Sequence, residues 1–490
     1  MRAGDSTIAS FGLLICTALL MSCGGGGMGG GYGMGTSAPP PAPSSSVMFT
    51  SPAAGTSINF GRSVKLAWTS TNSSSCTAST STAAGGTFSG TQPTSGSMTV
   101  VPTATGAVAY TLSCTPTAGG TAVTSSISVT VSPSVLASMN SITAIGSTLD
   151  PSEHGGNPYG LALATTTAGL LKAGDLVVCN FNDGATNTQG AGTTIVGLQP
   201  TAGATPYRIA QSATLQGCNA LAILPDGSIS ASAYSSNQTA LVTPTGTVGT
   251  PFAADTFHQP WGIAYVAAQG ASPAALYVAN ADGSIVRISL DGDTQTELTQ
   301  IASGFCGSGQ PGAIFAPAGL TYDASIDTLY IVDTSSNSVV AFANVSSIGD
   351  AGIVVDGSCA SVSTPPTPAP TFSGPSASSA RVIAHGAPFI APISAALLAD
   401  GDLIVGNGDV NIAADQKPNL VVEISPVLPG GFVGQPVQLD TSGTPGALFG
   451  IVATTDPQRG QLIYFNDDNT NSVMLLSVVT GGGSMMPIPY

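Results

Sequence analysis

Residues 319–342 read GLTYDASIDTLYIVDTSSNSVVAF. Three short apolar runs, rich in β-branched and aromatic residues, alternate with polar turns, which is the signature of consecutive antiparallel strands. The arrangement recurs along the chain. Segments NPYGLAL (157–163), GCNALAI (217–223), QPWGIAY (259–265), APAGLTY (316–322), APISAAL (391–397) and ALFGIVA (447–453) align, with a Pro-like position at 158, 218, 260, 317, 392 and 448. Each is followed by a second run ending in a polar turn, such as DLVVCNFND, ALYVANADG or QLIYFNDDN, and often by a third, such as SIVRISL or LVVEISP. Asp-Gly turns in LPDGSI and LADGDL join first runs to second ones.

Units of about four strands repeated around an axis make a β-propeller. GLTYDASIDTLYIVDTSSNSVVAF and GIAYVAAQGASPAALYVANADGSIVRI resemble the NHL-repeat family. That resemblance implies an all-β, six-bladed β-propeller spanning residues 136–490. The sixth repeat stops after SVMLLSVVT without an outer strand, and LASMNSITAIG (136–146) is expected to supply it, hiding a sheet edge. SVSTPPTPAPTFSGPSASSA (361–380) reads as a low-complexity surface insertion between the fourth and fifth repeats.

Residues 47–132 carry a different pattern. RSVKLAWTS, GSMTVV, VAYTLSCT and TSSISVTVS all alternate with period two, as in a small β-sandwich. LAWTSTNSSSC and YTLSCTP resemble bacterial immunoglobulin-like modules, which implies a bridge between Cys76 and Cys114. Trp68 precedes the first cysteine here, whereas in antibody domains the tryptophan follows it. The module reads as a spacer, with a binding role as the alternative.

The N-terminus has a basic start at Arg2, an apolar run too short to span a bilayer comfortably, and then LMSC (20–23). This resembles a bacterial lipobox and implies a signal peptide over 1–22, lipidation of Cys23 and stable anchoring through several acyl chains. Residues 23–46 form a Gly- and Pro-rich tether. Gly24, Gly26 and Gly29 formally satisfy G-x-G-x-x-G, but no strand precedes them, so a dinucleotide site is excluded. Nine Lys plus Arg against a net charge of −16 exclude nucleic acid, which requires clustered cations. The membrane is expected to be met only through the lipid anchor, at the outer membrane or cell surface.

Six cysteines remain beyond Cys16 and Cys23, an even number that suits disulfides in an exported chain. On the propeller frame the expected pairs are Cys179–Cys218 and Cys306–Cys359. The same frame gathers polar turns and inner-strand aromatics at one end. Tyr159, Asn180, Trp261, Asn280, Asp333, Asn407, Phe449 and Asn466 are therefore candidate binding residues, although Asn and Asp also serve as ordinary turn formers. His154, His258 and His385 precede the first strands of alternate repeats, and three imidazoles can hold zinc. In a similar propeller family, the peptidyl-hydroxyglycine amidating lyases, the ligating histidines lie just after the Pro-like position. Tyr159, Trp261 and Ile393 occupy those positions here, so no ligand carries over. No catalytic motif is found. The expected function is a cofactor-free, non-catalytic module for an envelope or extracellular ligand, a protein or a carbohydrate. The alternative is a propeller lyase or lactonase dependent on zinc or calcium.

Overall fold

The structure is a computed structural model. It describes residues 43–479 except 253–256, 293, 308, 311–312, 357–367, 409–416, 429, 442–443 and 445. Cys23, the leader and the tether up to residue 42 lie outside the described residues, and Ser46 already opens the first strand. Among those described the chain is all-β, and its α-helix is the four-residue Val135–Ser138. No described helix is long and apolar enough to cross a membrane.

The first region pairs a three-stranded sheet, ordered Ser46–Ser51, Val64–Thr71, Ser95–Val100, with a five-stranded one, ordered Ser57–Asn59, Val123–Ser132, Gly106–Pro116, Ser73–Thr80, Gly90–Gln92. Its strands alternate between buried and exposed residues, because each sheet has one wet face. Phe88 sits at the centre of the shared core, its ring 5.7 Å from Trp68 and 5.8 Å from Tyr110. Cys76 and Cys114 are bridged, as expected. They are directly opposed on neighbouring strands, so the bridge staples one sheet instead of joining the two.

Six sheets of three or more strands follow, antiparallel except where Thr294–Ser303 pairs parallel with Ile353–Asp356 in the third. Their first strands are Gly156–Leu163, Cys218–Ile223, Pro260–Val266, Pro317–Asp323, Pro392–Leu397 and Ala447–Asp456, matching the six aligned segments. Each first strand packs against the next, and the sixth against the first, so the six make a closed circuit. Second strands such as Leu176–Asn182 and Thr328–Asp333 are buried at every position, because neighbouring sheets cover both faces. That is why they read as unbroken apolar runs.

Small residues permit the close circuit. A Cβ added to Gly262 would overlap the Ala318 carbonyl oxygen, one on Gly450 would lie 2.6 Å from the Tyr159 oxygen, and one on Gly319 2.8 Å from the Ile393 oxygen. Distances below 3 Å are not tolerated, so the backbone of each inner strand abuts its neighbour at these positions. In the fifth sheet Ser394 takes the equivalent place and donates its hydroxyl to the Leu448 carbonyl.

Ser141–Ser147 pairs with Ser472–Ser477 and completes the sixth sheet, as the sequence predicts. The Pro-rich segment is placed differently from expectation. Thr371–Ser373, with Ile353–Asp356, extends the third sheet, and Ala380–His385 is the outer strand of the fourth. The insertion therefore falls before the last strand of the fourth sheet, not between the fourth and fifth repeats.

The sandwich meets the ring at a polar joint. Arg62 pairs with Asp402 at 2.8 Å, Asn59 donates to Asp400 at 2.7 Å, and Ser425 donates to the Gly61 carbonyl at 3.1 Å. The connecting helix Val135–Ser138 is capped by the buried Glu423, whose carboxylate accepts the Val135 and Leu136 N–H groups at 3.2 and 2.6 Å. Burial pushes the Glu423 pKa up to about 8, against the pull of the Leu136 N–H. Asp402 is likewise pushed up to about 6 by burial, opposed by hydrogen bonds from Ser425 and Arg62.

Candidate functional site

All six first strands have an irregular register within a few residues of their start. Such a bulge bends the strand and re-aims the side chains that follow. Just beyond each Pro-like position stand Tyr159, Asn219, Trp261, Ala318, Ile393 and Phe449. All but Asn219 share one apolar cluster with Phe181, Tyr234, Ala281 and Ala316. Tyr159 lies between Phe181 and Phe449, with centroids 4.2 and 4.0 Å away and planes nearly parallel. Trp261 meets Tyr234 edge to face at 5.6 Å. Tyr159 and Trp261 are only 1% and 5% exposed. Of the three aromatic candidates these two are core packing, and Phe449 alone stays half-buried.

The polar candidates are also interior. Asn180, Asn280, Asp333, Asn407 and Asn466 are all 2% exposed or less. Asn180, Asn280, Asp333 and Asn407 stand opposite the proline of their first strand. Proline supplies no N–H to the ladder, and the side-chain amides tie in neighbouring backbone instead. Asn180 donates to the Thr148 carbonyl at 2.9 Å, Asn407 to that of Pro388 at 3.0 Å, and Asn466 to that of Gly160 at 3.1 Å. Asn280 donates to the Ser284 hydroxyl at 3.0 Å. Asp333 accepts from Ser335 and Ser336, while its burial raises its pKa. These polar turn residues are thus interior and brace backbone through their amide nitrogens or, at Asp333, its carboxylate.

Beside the aromatic cluster lies an open cleft of about 380 Å³, lined by Tyr234, Asn237, His258, Gln259, Asp282 and Ser235. It forms where the second strands of the second and third sheets end and the third inner strand begins. His258 Nε2 lies 3.6 Å from Asp282 Oδ2, with side chains 55% and 40% exposed. The loop is fixed from below. Asn237 accepts from the Gln259 N–H at 2.6 Å and donates to the Phe257 carbonyl at 2.9 Å, while the Ala281 N–H donates to the His258 carbonyl at 2.9 Å. Asn237 and Gln259 both take left-handed backbone conformations, φ 54° and 58°, which turn the loop sharply. Burial pushes the Tyr234 phenol up to about 12, so it remains a neutral hydroxyl.

The cleft thus presents the His258 imidazole, the Asp282 carboxylate, the Gln259 amide and the Ser235 hydroxyl, over the buried Tyr234 and the loop-bracing Asn237. Ser235, His258 and Asp282 are the residue types of a nucleophilic triad, but no hydrogen bond joins Ser235 to His258. Activation of the serine requires that bond.

Of the sequence candidates, His258 reaches this cleft, together with Asp282 from the polar turn after the third sheet's second strand. His154 is an exposed loop residue with φ 58°, and His385 ends the outer strand of the fourth sheet. Among the described residues no group of three His, Cys, Asp or Glu side chains is placed to hold a metal ion. The histidine trio does not fit zinc, nor do the buried turn residues form an acidic site for calcium. Tyr234, Asn237 and Gln259 were not singled out by the sequence; their only mark is position, at the ends of two consecutive repeats. The Cys179–Cys218 bridge is present, joining the first sheet to the second. Cys306 is disulfide-bonded as well, and Cys359 lies outside the described residues.

No protein-family model matches the chain, and no curated protein does. Solved structures of β-propeller proteins are similar to it. A virginiamycin B lyase from Staphylococcus aureus is 14% identical, covering 69% of this chain and 99% of its own, with a TM-score of 0.39. A gluconolactonase from Xanthomonas campestris is 13% identical, covering 70% and 92%, with a TM-score of 0.44. A PQQ-bound aldose sugar dehydrogenase from Streptomyces coelicolor is 14% identical, covering 69% and 98%, with a TM-score of 0.41.

Proposed function

We propose that the six sheets are the blades of an NHL-like propeller, carried behind an immunoglobulin-like module. In this reading the chain is exported, anchored through lipid on Cys23 to the outer membrane or cell surface, and spaced from it by the tether and the module. The propeller acts as a non-catalytic module that binds a carbohydrate in the His258–Asp282 cleft. One observation carries this reading: the cleft brings convergent donors and acceptors from two adjacent sheets to the edge of an aromatic floor. Binding sites pair apolar walls with a few placed polar groups in this way, and sugars offer hydroxyls able to donate and accept at once. The Asp282 carboxylate in the cleft disfavours anionic ligands there.

The test is saturation-transfer NMR of the detergent-solubilised chain against a panel of neutral oligosaccharides. A binder is expected whose affinity falls at least about fivefold in Asp282→Ala and His258→Ala, since removing a hydrogen-bonding partner costs about 1–3 kcal/mol. Ser235→Ala should bind normally and the wild type should release no cleaved product. Turnover lost in Ser235→Ala would replace the binding reading with a hydrolase.

A further inference from the structure

A larger cavity, of about 620 Å³, lies at the opposite end of the ring, beside the joint with the sandwich. Its walls come from the ends of the first strands of the fourth, fifth and sixth sheets and the turns after the fourth and fifth, around Asp323–Ile326, Leu397–Gly401 and Ala453–Thr455. The sandwich adds Arg62, and the outer strand of the fourth sheet adds Arg381. Two of the nine cationic side chains in the whole sequence therefore line one cavity of a strongly acidic protein.

The acids nearby are already engaged. Asp400 accepts from Asn59 through one oxygen and from the Asp402 N–H through the other. One oxygen of Asp323 takes both the N–H and the hydroxyl of Ser325, and Asp402 is held by Arg62. Arg381 is exposed and donates through one nitrogen to the Pro426 carbonyl at 3.0 Å. A guanidinium carries five N–H donors in a planar fork matched to a carboxylate, so Arg381 keeps most of its capacity for a ligand. Both arginines act electrostatically on the Tyr330 phenol in the cavity wall, which burial raises to about 12.

The rim is apolar. Ile326 and Val427, 54% and 46% exposed, stand among the few large hydrophobic side chains left open to solvent, and both line this cavity together with Leu397 and Leu398. Its volume suits a small molecule. We propose that this cavity binds a small monocarboxylate with an apolar tail, the carboxylate clamped by Arg381 beside Arg62 and the tail lying against Ile326, Leu397 and Val427. Repulsion from the flanking aspartates scales with ligand charge, so it weighs more on a dianion such as phosphate than on a monocarboxylate.

The probe is 4-phenylbutyrate, compared with its neutral amide by isothermal titration and NMR on the detergent-solubilised full chain. Binding of the acid is expected, with the amide at least about tenfold weaker. Arg381→Met should reduce affinity for the acid by about tenfold or more and leave the amide unchanged, and Arg381→Lys should restore part of the loss. Arg62 is left intact because it holds the joint. Leu397→Trp, which fills the cavity, should abolish binding while circular dichroism and melting confirm the fold. No binding of the acid, equal binding of acid and amide, or an unchanged Arg381→Met would each overturn the proposal. Carbohydrate binding at His258 is a separate measurement, and its outcome does not bear on this one.

Discussion

At the cleft end of the ring the side chains that brace the strand entries are mostly buried amides; at the end that carries the sandwich the bracing side chains are ionisable. The repeat is the same at both ends. In one, amides of Asn180, Asn407 and Asn466 brace backbone carbonyls inside a tight circuit of strands. In the other, Asp400, Asp402 and Glu423 couple two regions through Asn59, Arg62 and the helix Val135–Ser138. The contrast separates two kinds of stability. A neutral buried amide network is indifferent to pH, whereas buried carboxylates make the joint depend on it.

The largest effect is expected at the circuit. Gly262→Val places a branched side chain against the Ala318 carbonyl, where not even one carbon fits. Overpacking typically costs about 1–3 kcal/mol and more where backbone must move, so the variant should be purified unfolded or melt far below the wild type at every pH. A wild-type melting temperature would show that the inner strands are not in contact as described. Next comes the bridge between the first two sheets. Cys218→Ser should lower stability by about 2–4 kcal/mol, equally at pH 5 and pH 8, measured by denaturant unfolding with the other bridges intact.

The smallest effect separates the two ends. Glu423 has a folded pKa of about 8, raised above its ordinary value near 4.5. The folded state therefore binds more protons than the unfolded state between those values, and stability falls as pH rises through that window. Asp402, raised from 3.8 to about 6, adds to the same slope at its acidic end. The wild type is expected to melt higher at pH 5 than at pH 8. Glu423→Gln should flatten that slope while leaving His258 and its cleft untouched. An unchanged slope would place the pH dependence elsewhere.

Much of the fold is legible in the sequence because the signals are local. Pro158, Pro260, Pro317 and Pro392 mark strand entries, and the unbroken apolar runs of the second strands announce burial on both faces. The missing outer strand of the sixth sheet points directly to 136–146. The Pro-rich run misleads because ARVIAH (380–385) has no proline or Asp-Gly mark to assign it to the sheet before or after. The site is harder to read for a deeper reason. An Asn closing an apolar run looks the same whether it faces water or braces the loop of another sheet. Only the arrival of Thr148 or Pro388, distant in sequence, decides that Asn180 and Asn407 are interior. The cleft is a junction of two sheets, so none of its residues is marked as a set.

The strand Ser141–Ser147 has a mechanical meaning. It begins three residues after the helix that Glu423 anchors, and it runs directly from the sandwich into the seam that locks the ring. A pull applied from the N-terminal side passes through the sandwich and reaches this strand first. The buried Glu423 clasp and the Arg62–Asp402 pair lie ahead of the seam and act as strain relief. When they let go, the load falls on the hydrogen bonds between Ser141–Ser147 and Ser472–Ser477, and the circuit opens there before any other sheet bears force.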